Sequence, residues 1–264
     1  MNHTLRSKVI TGNWKMYKSL EEAIEFVNHL IPMIQNYSTR VCLAVPYTMI
    51  QTLTKEVEGS NLLIGAQNMN DASEGAFTGE IAGRMLMDVG AKFVLLGHSE
   101  RRHLFHEDNA FINRKIKRAL QDGLQPVLCI GETEEEHKAD RAQEVIRRQL
   151  VECLAGIHID SLDHLSLSYE PVWAIGTGNC ALPEMAQEVH YFCRQILGEI
   201  FNFETAAKVI IQYGGSVNPS NAIELLNKPD VDGLLIGGAS LSLESFSQII
   251  NHCESLLNAK VESI

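Results

Sequence analysis

Two stretches near the C-terminal end of the sequence, Val209–Ser216 (VIIQYGGS) and Gly233–Gly238 (GLLIGG), decide the fold. Each is an apolar, β-branched-rich run that ends in a pair of glycines. Neither alternates between apolar and polar residues, so both faces are expected to be buried, as in a parallel sheet flanked by helices. Glycine pairs at the C-terminal ends of neighbouring strands are suited to a phosphate-binding turn, where backbone N–H groups approach an anion closely.

Six more runs of the same kind precede them. They begin near Lys8 (VITGN), Arg40 (VCLAVP), Leu62 (LLIGA), Phe93 (VLLGH), Gln125 (PVLCIGE) and Leu165 (SLSYEP). The runs lie about 20 to 45 residues apart, the spacing of strands separated by helices. Several intervening stretches have helical period. Leu20–Met33 places Ala23, Phe26, Val27, Leu30 and Ile31 on one face, with Glu21, Glu22 and Glu25 outside. Asp140–Leu154 does the same with Ala142, Val145, Ile146 and Leu150. The acidic run 134–138 (EEEHK) reads as that second helix's polar entry rather than as a metal site. No composition shift marks a linker. Eight β–α units in 264 residues predict one domain over 1–264, an α/β fold of the (β/α)8 TIM-barrel type with its site at the C-terminal ends of the strands. A doubly wound sheet is the second choice.

Composition narrows the partners. A formal net charge of -11 disfavours nucleic acid or an anionic membrane. No apolar run approaches the ~18 residues needed to span a bilayer. The six cysteines form no C-x-x-C pair and no signal peptide is evident, so reduced thiols and a cytoplasmic location are expected. The polar C-terminus, NAKVESI, reads as a fraying tail.

Polar residues gather where the runs end. Asn13 and Lys15 follow the first; Gln67 and Asn68 the third; His98, Ser99 and Glu100 the fourth; Glu132 the fifth; Glu170 the sixth. Gly214, Gly215 and Ser216 follow the seventh, and Gly237 and Gly238 the eighth. In barrel enzymes this is the end that carries the chemistry. Glu170 opens Tyr169–Gly178 (YEPVWAIGTG), a carboxylate fixed by Pro171 and followed by bulky Val172, Trp173 and Ile175 and by Gly176 and Gly178. That pattern predicts a base attached to a lid that excludes water. His98 precedes a helix opening at Ser99, where the helix N-terminus disfavours a cationic ring, so a neutral proton donor is expected. Lys15 supplies positive charge beside a developing oxyanion or a phosphate. The glycines Gly176, Gly214, Gly215, Gly237 and Gly238 offer amides to a phosphate. Gly176-x-Gly178-x-x-Ala181 matches a relaxed dinucleotide fingerprint but lacks the βαβ context, and His98, His103 and His106 lack a zinc-site pattern.

Asn13-Trp14-Lys15, Ala66-Gln67-Asn68, Gly75–Glu80, Gly97–Arg102, Cys129–Glu132, Tyr169–Gly178, Tyr213–Val217 and Gly237–Ser240 together resemble the triosephosphate isomerase family, in the family's order and over nearly the whole chain. The resemblance implies interconversion of dihydroxyacetone phosphate and glyceraldehyde 3-phosphate, in glycolysis and gluconeogenesis. It implies Glu170 as the proton-transferring base, His98 as the neutral electrophile, Lys15 and Asn13 as substrate-binding and charge-stabilising groups, and Gly176, Ser216, Gly237 and Gly238 as amide donors to the phosphate. A neutral histidine paired with a glutamate base is a known pattern for this family, as is lid gating. No metal or organic cofactor is needed by this reading. The long polar loop Gln67–Glu80 would carry Thr78 into the site of a homodimer partner, with Glu100 and Arg101 helping to order that site. Asn179 and Cys180 replace a common Lys-Thr just beyond the lid, Ala82 a common Ser, and Glu134 a common Leu. Competing readings are a sugar-phosphate aldolase or epimerase, or a non-catalytic phosphosugar sensor. Lys208 lies before strand seven, at the wrong end for a Schiff-base lysine, and inward metal ligands are missing.

Overall fold

The computed structural model describes residues 6–174 and 182–261. The eight apolar runs form eight strands: β1 (Val9–Asn13), β2 (Arg40–Val45), β3 (Leu62–Ala66), β4 (Phe93–Leu96), β5 (Gln125–Ile130), β6 (Ser166–Tyr169), β7 (Ile210–Tyr213) and β8 (Gly233–Ile236). They are parallel, pair in sequence order, and close when β1 pairs with β8. Val9 stands opposite Arg40 on one side and Gly233 on the other.

The strands read as continuous apolar runs because both of their faces are buried. Alternate residues point to opposite faces of a strand. One set (Val9, Cys42, Phe93, Leu95, Val127 and Leu235) fills the barrel lumen. The other set (among them Ile10, Val41, Leu43, Val94, Leu128, Leu167 and Ile211) packs under the helices. Thr11 Oγ1 donates to Gln212 Oε1 across the lumen at 2.7 Å, so these two polar side chains satisfy each other. The top of the same inward set carries Asn13.

Helices alternate with the strands: α1 (Leu20–Ile34), α2 (Tyr47–Glu56), α3 (Gly83–Asp88), α4 (Ser99–His103), α5 (Asn109–Asp122), α6 (Glu134–Lys138), α7 (Ala142–Cys153), α8 (Pro183–Ile200), α9 (Phe203–Ala206), α10 (Ala222–Leu226) and α11 (Leu243–Val261). In α1, Ser19 and Glu22 form a reciprocal capping box, and Ala23, Phe26, Val27 and Leu30 are buried as the period predicts, with Ile31 partly buried. Two expectations are corrected. The run 134–138 is not the entry of the helix that follows but a separate one-turn helix, α6, with its own Thr133–Glu136 capping box. Asp140, in left-handed backbone at φ 56°, separates it from α7. The expected fraying from Asn258 does not hold for the first part of that tail, since α11 continues to Val261.

Among the described residues, Cys42, Cys129, Cys153, Cys193 and Cys253 are free and buried. Cys180, like Asn179, lies outside the described residues. No helix among the described residues is long and apolar enough to cross a membrane.

Candidate active site

Closure of the barrel brings Asn13, Lys15, His98, Glu170, Ser216, Gly237 and Gly238 around one open cavity of about 320 Å³ at the C-terminal ends of the strands. Seven of the eight site residues expected from the sequence therefore share one pocket. The eighth, Gly176, lies outside the described residues.

Lys15 follows β1 with its backbone in the left-handed region, φ 49°. For a residue with a side chain that conformation costs about 1–2 kcal/mol. Local hydrogen bonds hold it there. Lys15 N–H donates to Asn13 Oδ1 at 3.0 Å, and Gln67 Nε2 donates to Lys15 O at 2.8 Å. Gln67 also reaches Ala44 O at 3.0 Å, tying β2 to the turn. The ammonium group is aimed into the cavity and pairs with Glu100 Oε1 at 2.7 Å.

His98 sits at the start of α4 and serves as its N-cap. Its Nδ1 accepts from the Glu100 N–H at 3.2 Å. An acceptor nitrogen carries no proton, so this contact assigns the neutral tautomer with the proton on Nε2. Glu100 Oε2 stands 3.5 Å from the same Nδ1, beyond the backbone contact that satisfies it. Nε2 faces the cavity 3.7 Å from Glu170 Oε2.

Glu170 is buried, with 1% exposure. Its backbone is pinned because Glu170 N–H donates to Ile130 O at 2.7 Å. Oε2 accepts from the Ser99 N–H at 3.3 Å, and Oε1 has no hydrogen-bond partner among the described residues. Few donors therefore meet the Glu170 side chain where it lines the cavity. Burial, then the neighbouring Glu170 charge and a thiol contact with the Glu170 side chain, push the Cys129 thiol well above its usual range, so Cys129 stays protonated beside the carboxylate.

Three features escaped the sequence reading. Glu132, a polar residue at the end of β5, accepts at its Oε1 from Trp173 Nε1 at 2.8 Å and from Tyr169 OH at 3.1 Å. Burial raises the Tyr169 hydroxyl well above its usual range, with Glu132 adding to the effect, so it remains a donor. Lys115 is completely buried and pairs with Glu107 at 2.7 Å; its Nζ also reaches Asn68 Oδ1 at 2.9 Å. Arg101 joins the same Glu107 oxygen at 2.6 Å. Desolvation lowers the Lys115 ammonium, and the Glu107 contact opposes that shift. A lysine on the apolar face that also carries Ile112, Ile116 and Ala119 was the available signal, since such a charge requires a buried partner. Finally, Arg102 donates to Gly97 O at 2.7 Å and Cys129 O at 3.1 Å, locking the ends of β4 and β5 together.

Comparison with known proteins agrees with this geometry. The family model described as Triosephosphate isomerase matches residues 8–253. The triosephosphate isomerase of Protochlamydia amoebophila (strain UWE25) is 60% identical over 262 residues, covering 99% of each chain. That of Carboxydothermus hydrogenoformans is 49% identical, covering 93% of this chain and 98% of the relative. That of Moorella thermoacetica is 45% identical, covering 94% and 99%.

Proposed function

The chain belongs to the triosephosphate isomerase family and interconverts dihydroxyacetone phosphate and glyceraldehyde 3-phosphate; from that premise we propose that Glu170, His98 and Lys15 carry the chemistry in this chain. Glu170 removes a proton from the carbon beside the carbonyl. The Nε2–H of His98 hydrogen-bonds the carbonyl oxygen as negative charge develops there. The result is an enediol(ate). His98 passes its Nε2 proton to the former carbonyl oxygen and takes up the proton of the neighbouring hydroxyl. The C–O bond of that hydroxyl becomes the new carbonyl as Glu170 returns its proton to the former carbonyl carbon, so that ketone and aldehyde exchange with every proton accounted for. Neutral imidazole suits this task, since it donates a proton without first pairing with the Glu170 carboxylate.

Lys15 and Asn13 bind the substrate, and the Lys15 ammonium offsets its negative charge. The backbone amides of Ser216, Gly237 and Gly238 hold the phosphate, as would Gly176 from its segment outside the described residues. Each N–H to a charged oxygen contributes about 1.5–3 kcal/mol. The observation that carries this reading is the 3.7 Å approach of His98 Nε2 to Glu170 Oε2 in the cavity shared with Lys15 and the glycine turns.

The same reading includes a homodimer. The loop 67–80 is stabilised at its base by Asn70, which donates to Glu80 Oε2 at 2.7 Å, while its tip with Thr78 is exposed. Phe77 is 50% exposed, Met16 93% and Phe105 60%. Met16 and Phe105 flank a second, mainly apolar opening of about 390 Å³ that reaches Lys15 and His98. Exposed apolar groups of this size beside a catalytic cavity favour burial against a second copy, whose Thr78 loop would fill the opening. A cytoplasmic location accords with the glycolytic role of the family.

The test is isomerase turnover of glyceraldehyde 3-phosphate by the wild type and Glu170→Gln. Fast wild-type turnover that falls by at least about 10³-fold in the folded variant is expected for loss of the base. A variant within tenfold of the wild type would remove Glu170 from that role.

A further inference from the structure

The acidic run 134–138, unused by the chemistry above, brings one aromatic group to the segment that follows Glu170. His137, in the last turn of α6, stacks its imidazole on the indole of Trp173, with ring centroids 4.5 Å apart and planes at 23°. His137 Nδ1 lies 3.6 Å from Glu132 Oε1. That same oxygen takes the hydrogen bond from Trp173 Nε1 at 2.8 Å. The main chain repeats the connection, for Val172 N–H donates to Glu132 O at 3.1 Å. Trp173 belongs to the one-turn 3₁₀ helix Val172–Ala174, three residues beyond Glu170.

This turn is held from two directions. Glu132 grips one edge of the indole and the turn's backbone, and His137 covers the indole face. The groove around them, about 330 Å³, is rimmed by Asp140 after α6 and Glu188 of α8, with Tyr169 and Phe192 among its walls. Three other charges of α6 are already engaged: Lys138 with Glu134 at 2.6 Å, and Glu136 with Arg148 at 3.7 Å. Among the described residues lining the groove, His137 is the one basic side chain, its Nδ1 turned to Glu132.

We propose that His137 is a positioning residue for the isomerisation: by stacking on Trp173 and facing Glu132 it fixes the turn that continues directly from Glu170, and so fixes the approach of the base. The proposal rests on the reading of Glu170 as that base. His137 touches neither substrate nor the cavity that holds Glu170. Its effect passes through Trp173 and the short link Pro171–Val172, where a lost stack lets the turn tilt and pulls the Glu170 carboxylate slightly off its set position while the Glu170 backbone stays tied to Ile130 O.

The experiment uses 5-fluorotryptophan-labelled enzyme, which has two tryptophans and therefore two fluorine signals, Trp14 and Trp173. His137→Ala should shift and broaden the Trp173 signal, leave Trp14 unmoved, and lower kcat by about three- to tenfold with KM nearly unchanged, the range carried by one aromatic stack. His137→Phe keeps a flat ring and should restore most of both. A Trp173 signal unchanged by His137→Ala overturns the proposal. So does a shifted signal with wild-type kcat, or a failure of His137→Phe to restore the signal and the rate. The fluorine readout does not depend on which group is the base. If Glu170→Gln stays active, the base assignment fails while the contact between His137 and Trp173 is still tested.

Discussion

Gly214→Ala displaces the proposed base by a distance that the structure sets. A Cβ at Gly214 would stand 2.7 Å from Glu170 Cγ and 2.7 Å from Ser168 Oγ. Ordinary contact begins near 3.4 Å, so each of these groups is about 0.7 Å too close and both contacts must be relieved. The strands cannot take up the shift, because Gly214 N–H is bonded to Tyr169 O at 2.7 Å. The Glu170 backbone cannot either. It is tied to Ile130 O, and Gly131 packs so closely behind it that a Cβ there would lie 1.8 Å from Glu170 O. The Glu170 side chain must move. Misplacement by about 1 Å costs on the order of 10²-fold in rate, so kcat should fall about 10- to 10²-fold, or ~1.4–2.7 kcal/mol of barrier. KM should stay within about twofold, since the Gly214 N–H, expected from the sequence to face the phosphate, is instead bonded to Tyr169 O, and the proposed phosphate amides of Ser216, Gly237 and Gly238 are not substituted. Steady-state turnover of glyceraldehyde 3-phosphate gives both constants, and thermal unfolding shows whether the variant is folded. Overpacking of this kind costs about 1–3 kcal/mol of stability, which a folded barrel can tolerate. A folded Gly214→Ala enzyme with kcat within twofold of wild type would refute the argument that Glu170 is held to sub-ångström tolerance.

Other outcomes follow from groups farther out. His190 is fully buried, its Nδ1 3.1 Å from Asp230 O, and burial lowers its pKa from 6.5 to about 4. The folded state then binds the proton less readily than the unfolded state. Its stability contribution is complete above pH 6.5 and is lost as pH falls towards 4, by about 3 kcal/mol at 1.36 kcal/mol per unit. Denaturant unfolding of His190→Gln should show a flatter pH dependence across that window, and an unchanged slope would exclude His190 as the source. Phe77→Asp places a charge on the exposed loop tip proposed to enter the partner subunit. Sedimentation velocity should show a shift from dimer to monomer, with activity falling on dilution; an intact, active dimer would place the interface elsewhere.

Much of this protein is written along the chain. Eight apolar runs with no polar alternation determine buried parallel strands, because a strand buried on both faces needs apolar residues at every position. Their regular spacing determines the helices between them. The gathering of Asn13, Lys15, His98, Glu170 and the glycine pairs at one end of the runs marks the candidate site, since all strand ends of one polarity meet at one rim when parallel strands close. The sequence could not divide 134–153 into two helices, because the break rests on one backbone angle at Asp140 and not on a change in pattern. Nor could it supply what depends on distances between distant elements. The neutral His98 expected from the sequence is given its Nε2–H tautomer only once Glu100 N–H is seen at its Nδ1. Lys15 is aimed by a left-handed backbone held from β1 and β3's following residue, Gln67. Lys115 finds Glu107, and Glu132 finds Trp173 and His137, only in the folded molecule. Periodicity records whether a side chain is buried. Which partner it meets there depends on how the strands tilt and close and how the loops fold back over the rim, so those pairings were decided by the tertiary structure alone.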